Sequence, residues 1–206
     1  MRALNHLKNV LPVYHVNEIH SITVCARAER VFESIKEVTA EEVPLLNILF
    51  KLRSLPSRII GKGGGNCFVE SEPVLKQAPR NGFILLYETR NREIALGFVG
   101  QFWKISGVES PGISTAQEFS TFDHPKFAKA VIDFYIDEHE KDGNCVVSTE
   151  TRVFVAGASA RRKFTAYWLS IYLGSALLRH MILRGNKRRA SEMMMRGKFR
   201  MSSGKV

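Results

Sequence analysis

Several things are scarce in this 206-residue chain, and each absence removes a class of protein. Cysteine occurs three times, at Cys25, Cys67 and Cys145, an odd number spread far apart. A disulfide framework is therefore excluded. With no CxxC or Cys/His spacing, so is a structural zinc site. Three reduced thiols fit a cytoplasmic setting. The opening MRALNHLKNVLPVY has no sustained apolar stretch and no small-residue cleavage site, so no signal peptide is expected. The uncharged stretch from Phe164 to Leu178, between Lys163 and Arg179, is fifteen residues long. A membrane span needs roughly twenty, so a buried core helix is the better reading.

Catalytic signatures are missing as well. There is no HExxH, no GxSxG and no Walker A motif; GKGGGN at 61–66 lacks both the Ser/Thr after the lysine and the glycine spacing. The six histidines never pair at metal-ligand spacing. No metal and no cofactor are expected. Acid is nearly absent from the C-terminus: Arg179 to Val206 holds nine Lys/Arg and one acid, Glu192. Residues 1–178 hold 21 basic and 19 acidic residues, so the net charge of +10 belongs mostly to the tail. High basicity alone therefore does not predict a nucleic-acid-binding domain.

What is present is a change of period along the chain. EIHSITVCA, 18–26, alternates as a strand does. RAERVFESIKEV, 27–38, puts Val31, Phe32, Ile35 and Val38 at helical spacing. Thr39 and Glu42 form a capping-box pattern ahead of Leu45, Leu46, Leu49, Phe50 and Leu52, which predicts a second helix. Residues 83–105 read as two strands around a turn at Arg90–Asn91, with Ala95, Gly97 and Gly100 predicting curvature or a bulge in the second strand. AQEFSTFD reads as a further strand. KAVIDFYIDEH, 129–139, and CVVSTETRVFVA, 145–156, read as a hairpin around EKDGN. Gly157 ends the last strand, and Ser159 is a fair N-cap for a long helix over about 160–183.

The order strand, two short helices, antiparallel strands, long C-terminal helix resembles the helix-grip fold of the START-like superfamily (SRPBCC). The runs TETRV at 149–153, ARRKF and YW are similar to an uncharacterised bacterial branch of it. The resemblance spans about residues 15–190. It implies an α+β fold: a curved antiparallel sheet wrapped around the C-terminal helix, with the cavity between them holding an apolar ligand. One domain over 1–206 is expected, with a basic tail from about 191.

Trp103, Tyr135, Tyr167, Trp168 and Tyr172 are the aromatic cavity candidates, richer in polar handles than a plain core requires. Glu150 and Arg152 lie two apart in one strand and share a face. Either they pair on the exposed face, or they line the cavity with Phe154. The cost of burying charge favours the exposed arrangement. Three functions compete. The first is a binding module for a small apolar or amphipathic molecule. The second is a cyclase- or dehydratase-like enzyme using Glu150, Arg152 or a cavity tyrosine. The third is weak attachment to an anionic membrane or nucleic acid through the tail. Nothing in the sequence demands catalysis, and the binding module is preferred.

Overall fold

The computed structural model describes residues 6–42, 69–104, 111–139, 143–169 and 184. Five strands alternate as their sequences require: β1 (Val16–Val24), β2 (Ile84–Thr89), β3 (Glu93–Gly100), β4 (Ala128–His139) and β5 (Asn144–Val155). They form one antiparallel sheet in the order β1-β5-β4-β3-β2. Tight reversals set the register. Asn91 takes a left-handed φ of 58° between β2 and β3, and Gly143 takes 61° before β5. Asparagine and glycine are the residues that tolerate this conformation at low cost.

Side chains alternate across a sheet, so the register sorts them onto two faces. The first face carries Ile94, Phe134, Ile136, Val147 and Val153. Helix α2 (Ala28–Glu37) lays Val31, Phe32 and Ile35 on one end of it. Residues 158–169 are helical and set Ala160 and Phe164 on the other end, against Ala128, Val153 and Val155. Phe164 is fully buried, a contribution of about 1.5–3 kcal/mol. Gly157 is required where this helix leaves β5, because a Cβ there would collide with the Pro125 carbonyl oxygen.

The second face is also covered. Leu7 and Leu11, from the short helix α1 (Leu7–Val10) and its end, join Phe119 and Phe127 over Ala95, Val99 and Val131. Gly97 lies on this face. A Cβ there would come within 2.9 Å of the Leu86 and Phe119 side chains, so any larger residue would force those side chains to shift.

Two sequence expectations are corrected. AQEFSTFD is not a strand: Ala116–Thr121 is helical. Thr115 caps it, its Oγ1 accepting from Glu118 N at 3.2 Å while the Glu118 carboxylate accepts from Thr115 N at 3.0 Å and Ser114 N at 2.8 Å. This reciprocal cap outweighs the apparent alternation. The same backbone donors hold the Glu118 carboxyl below its usual range. The irregular register falls in β2, between Leu85 and Tyr87, rather than in the glycine-bearing β3.

One arm of the Thr39–Glu42 pattern is shown, the Glu42 carboxylate accepting from Thr39 N at 2.9 Å and from the Thr39 hydroxyl at 3.3 Å, at the start of a 3-10 turn over Ala40–Glu42. The predicted helix beyond it, the GKGGGN run, the second half of the predicted C-terminal helix and the basic tail lie outside the described residues. Among the described residues, no helix is long and apolar enough to cross a membrane.

Candidate functional site

On the first face, α2 and the β2–β3 hairpin diverge and leave a groove of about 580 Å³. Its floor is apolar, built from Phe32 of α2, Leu75, and Leu85, Ile94 and Leu96 of the hairpin. Leu85 is half exposed in it. The rim is charged with both signs. Lys36 Nζ reaches Glu88 Oε1 at 2.7 Å and lies 5.5 Å from the Phe32 ring centre, while Arg90 stands 4.0 Å from Glu29. The volume and apolar floor are those of a small-molecule site, and the rim is more heavily charged than such sites usually are, with Glu29, Glu33, Lys36, Glu37, Lys76, Glu88 and Arg90 around it.

The aromatic candidates are brought together only in part. Trp103, Tyr167 and Trp168 gather around Phe164, with ring centres 6.5, 6.3 and 5.7 Å from it, and Phe102 joins at 6.1 Å. Phe164 occupies the centre of the group and the others are half-buried around it. Tyr135 lies on the opposite face of the sheet, and Tyr172 lies outside the described residues.

Glu150 and Arg152 correct the expectation of an exposed pair. Both are buried, at 1% and 5% exposure, with Arg152 Nε donating to Glu150 Oε1 at 2.7 Å. They face away from α2 and from helix 158–169. The register puts Glu150 opposite Asp133 and Ile19, and Arg152 opposite Val131 and Asn17, on the second face. Burial is possible because the N-terminal segment covers them. The Leu11 carbonyl accepts from Arg152 Nη1 at 3.3 Å, and the guanidinium carbon stands 4.8 Å from the Tyr14 ring centre.

Three further residues of this cluster escape a sequence reading. Asp133 and Glu93 are each 1% exposed. The Glu93 carboxylate accepts from the Tyr87 hydroxyl at 3.1 Å and pairs with His6 Nδ1 at 2.9 Å. Burial drives the Tyr87 hydroxyl far above its ordinary pKa. The charges of Asp133 and Glu93 and the bond to Glu93 push the same way, and Arg152 opposes them. Tyr87 therefore stays neutral and keeps donating its hydrogen bond to Glu93. The alternation of Asp133 with Phe134 and Ile132 looks like a solvated face; only the cover from α1 makes it an interior one. A second cavity, about 360 Å³, opens beside this cover between Val10, Leu86 and the Ala116–Thr121 helix. Nearby, Lys129 donates to the Ser120 carbonyl at 3.0 Å over the Phe119 ring; burial lowers its pKa, with Asp123 opposing.

Among the described residues, no group of three or more His, Cys, Asp or Glu is placed to hold a metal ion. No family model matches the chain. No curated protein matches it either. Similar solved structures include a hypothetical protein from Helicobacter pylori, 9% identical, with 92% of this chain and 97% of that one covered at a TM-score of 0.41. A protein from Nitrosospira multiformis is 15% identical, with 82% and 94% covered at 0.37. A DUF4468 family protein from Bacteroides ovatus is 9% identical, with 85% and 95% covered at 0.24. Likenesses at this level carry no argument about fold or function.

Proposed function

We propose that this chain is a helix-grip-like binding protein that takes a small amphipathic molecule into the groove between α2 and the β2–β3 hairpin. The observation that carries the reading is the groove itself, about 580 Å³ with an apolar floor and a rim of both charges. An apolar chain or ring would cover Phe32, Leu85 and Leu96. A polar head would meet Lys36, Glu88 or Arg90 at the rim. Supporting the helix-grip element is the helix that follows β5, which starts by packing Phe164 on the same sheet face as α2. Binding without catalysis suits the groove, whose titratable groups are rim residues rather than buried acids or bases.

The test is uptake of the fluorescent probe 1-anilinonaphthalene-8-sulfonate by the full chain, with native mass spectrometry of freshly purified protein. Leu85→Asp places a charge on the groove floor at a position already half exposed, so folding should tolerate it. Probe affinity should fall about tenfold, since burying an unpaired charge costs more than 1.4 kcal/mol. Unchanged uptake in Leu85→Asp would remove the groove from consideration.

A further inference from the structure

We propose that residues 6–15 form a strap that lifts off the sheet as a unit while the sheet stays folded, and that the charges buried beneath it make this opening easy. The strap contains one helical turn, Leu7–Val10, too short to be stable by itself. Its apolar anchors are Leu7 and Leu11. Its other ties run to buried charge: His6 to Glu93 at 2.9 Å, the Leu11 carbonyl to Arg152 at 3.3 Å, and the Tyr14 ring to the Arg152 guanidinium at 4.8 Å. Its far end is fastened by His15, whose N–H donates to the Val153 carbonyl at 2.8 Å and whose Nδ1 accepts from Val155 N at 3.1 Å.

The groups facing the strap come from four strands: Tyr87 of β2, Glu93 of β3, Asp133 of β4, and Glu150 and Arg152 of β5. Arg161 of helix 158–169 stands near its far end, at His15. Closed, the strap keeps three carboxyl groups at 1% exposure, with Arg152 on Glu150 and with Tyr87 and His6 on Glu93. Opened, it exposes Leu7 and Leu11 but returns those groups to water, and the second gain offsets much of the first loss. Helix α2 has no such compensation, because what it covers is apolar. The strap is thus the cover that leaves first, and its departure bares an acidic sheet face. This reading is independent of the groove, which lies on the other face.

Native-state hydrogen exchange of the full chain, read by mass spectrometry at low urea and neutral pH, tests it. The amides of Val10, Leu11 and His15, all bonded in the closed strap, should exchange at least about a hundredfold faster than those of β4 and β5, through an opening that exposes little surface. Asp133→Asn keeps the shape of the buried side chain but reduces what hydration returns on opening. It should slow strap exchange about three- to tenfold while β4 and β5 peptides change less. Strap amides that exchange only at the rate of β5 would overturn the proposal. So would Asp133→Asn if it left strap exchange unchanged, made it faster, or slowed the sheet equally.

Discussion

Both faces of the sheet are covered over its inner strands, yet with a different balance of apolar and charged groups, while the second-face side of the edge strand β1 stays exposed at Asn17, Ile19, Ser21 and Thr23. On the first, Phe164, Phe32, Val31 and Ile35 meet Ile94, Phe134, Val147 and Val153, apolar against apolar at both ends, with Glu18, Thr149 and Thr151 buried in the middle and Glu18 paired with His20. On the second, apolar contacts at Leu7, Leu11 and Phe119 surround Glu93, Asp133, Glu150 and Arg152. Strand β5 serves both: Val147, Val153 and Val155 point one way, Ser148, Glu150 and Arg152 the other. The difference teaches that a buried strand position does not have to be an apolar one. Glu150 is answered by Arg152, and Glu93 by Tyr87 and His6.

The comparison can be broken most directly at Arg152. Arg152→Met leaves Glu150 buried without its guanidinium and should cost up to about 5 kcal/mol in urea unfolding. Adding Glu150→Met should restore most of that loss, because two well-packed apolar side chains replace a buried ion pair at little net cost. A double variant as unstable as the single one would show that the pair stabilises the fold in its own right.

The first face should respond by volume alone. Phe164→Ala should cost about 3–4 kcal/mol, at the lower part of the range for a buried aromatic, because the half-buried Trp103 and Trp168 beside it can lean into the space. Unlike Arg152→Met, it has no rescuing partner substitution of opposite charge. Trp103→Ala and Trp168→Ala should each cost less than Phe164→Ala, and the order of the three unfolding free energies checks which ring is central.

A smaller effect probes the cover of the second face. Thr115→Ala removes the Oγ1 acceptor of the Ala116–Thr121 helix and should cost about 1 kcal/mol, or a fall of roughly 2–4 °C in Tm. The least effect belongs to His15, at the junction of strap and sheet. Its pKa is lowered below 6.5, first by burial and then by Arg161. The unfolded chain therefore takes up the proton before the folded one does. The stability tied to neutral His15 is fully present above pH 6.5 and is lost as the pH falls from there toward the folded pKa. Urea midpoints measured from pH 7.5 to 5.5 should decline, and His15→Asn should flatten the slope.

How much of this was legible varies by element. The strands at 18–26, 129–139 and 145–156 and the helix at 27–38 were readable to within about two residues, because each has a clean period and a turn or glycine at its end. AQEFSTFD reads as a strand although Phe119 and Phe122 stand three apart, a spacing that fits a helical turn, because its capping residue Thr115 lies just upstream of the run. At the candidate sites, Glu150 and Arg152 were recognised as sharing a face, but the face was assigned to solvent. Tyr87, Glu93 and Asp133 carried no signal, since an acid alternating with apolar residues is what a solvated strand also shows. The groove was equally illegible, as Phe32, Leu85 and Leu96 come from elements some fifty residues apart.

Local patterning alone determined the periods of the elements and the hairpin turns at Asn91 and Gly143. These are properties of neighbours along the chain, and short-range sterics and alternation suffice to specify them. Tertiary structure alone decided that both faces of the inner strands are covered, that Glu150 and Arg152 lie on the side away from Phe164, and that the N-terminal segment closes over them. Burial is set by what other elements bring to a surface. The residues that answer Arg152, at Leu11 and Tyr14, are about 140 positions away in the chain.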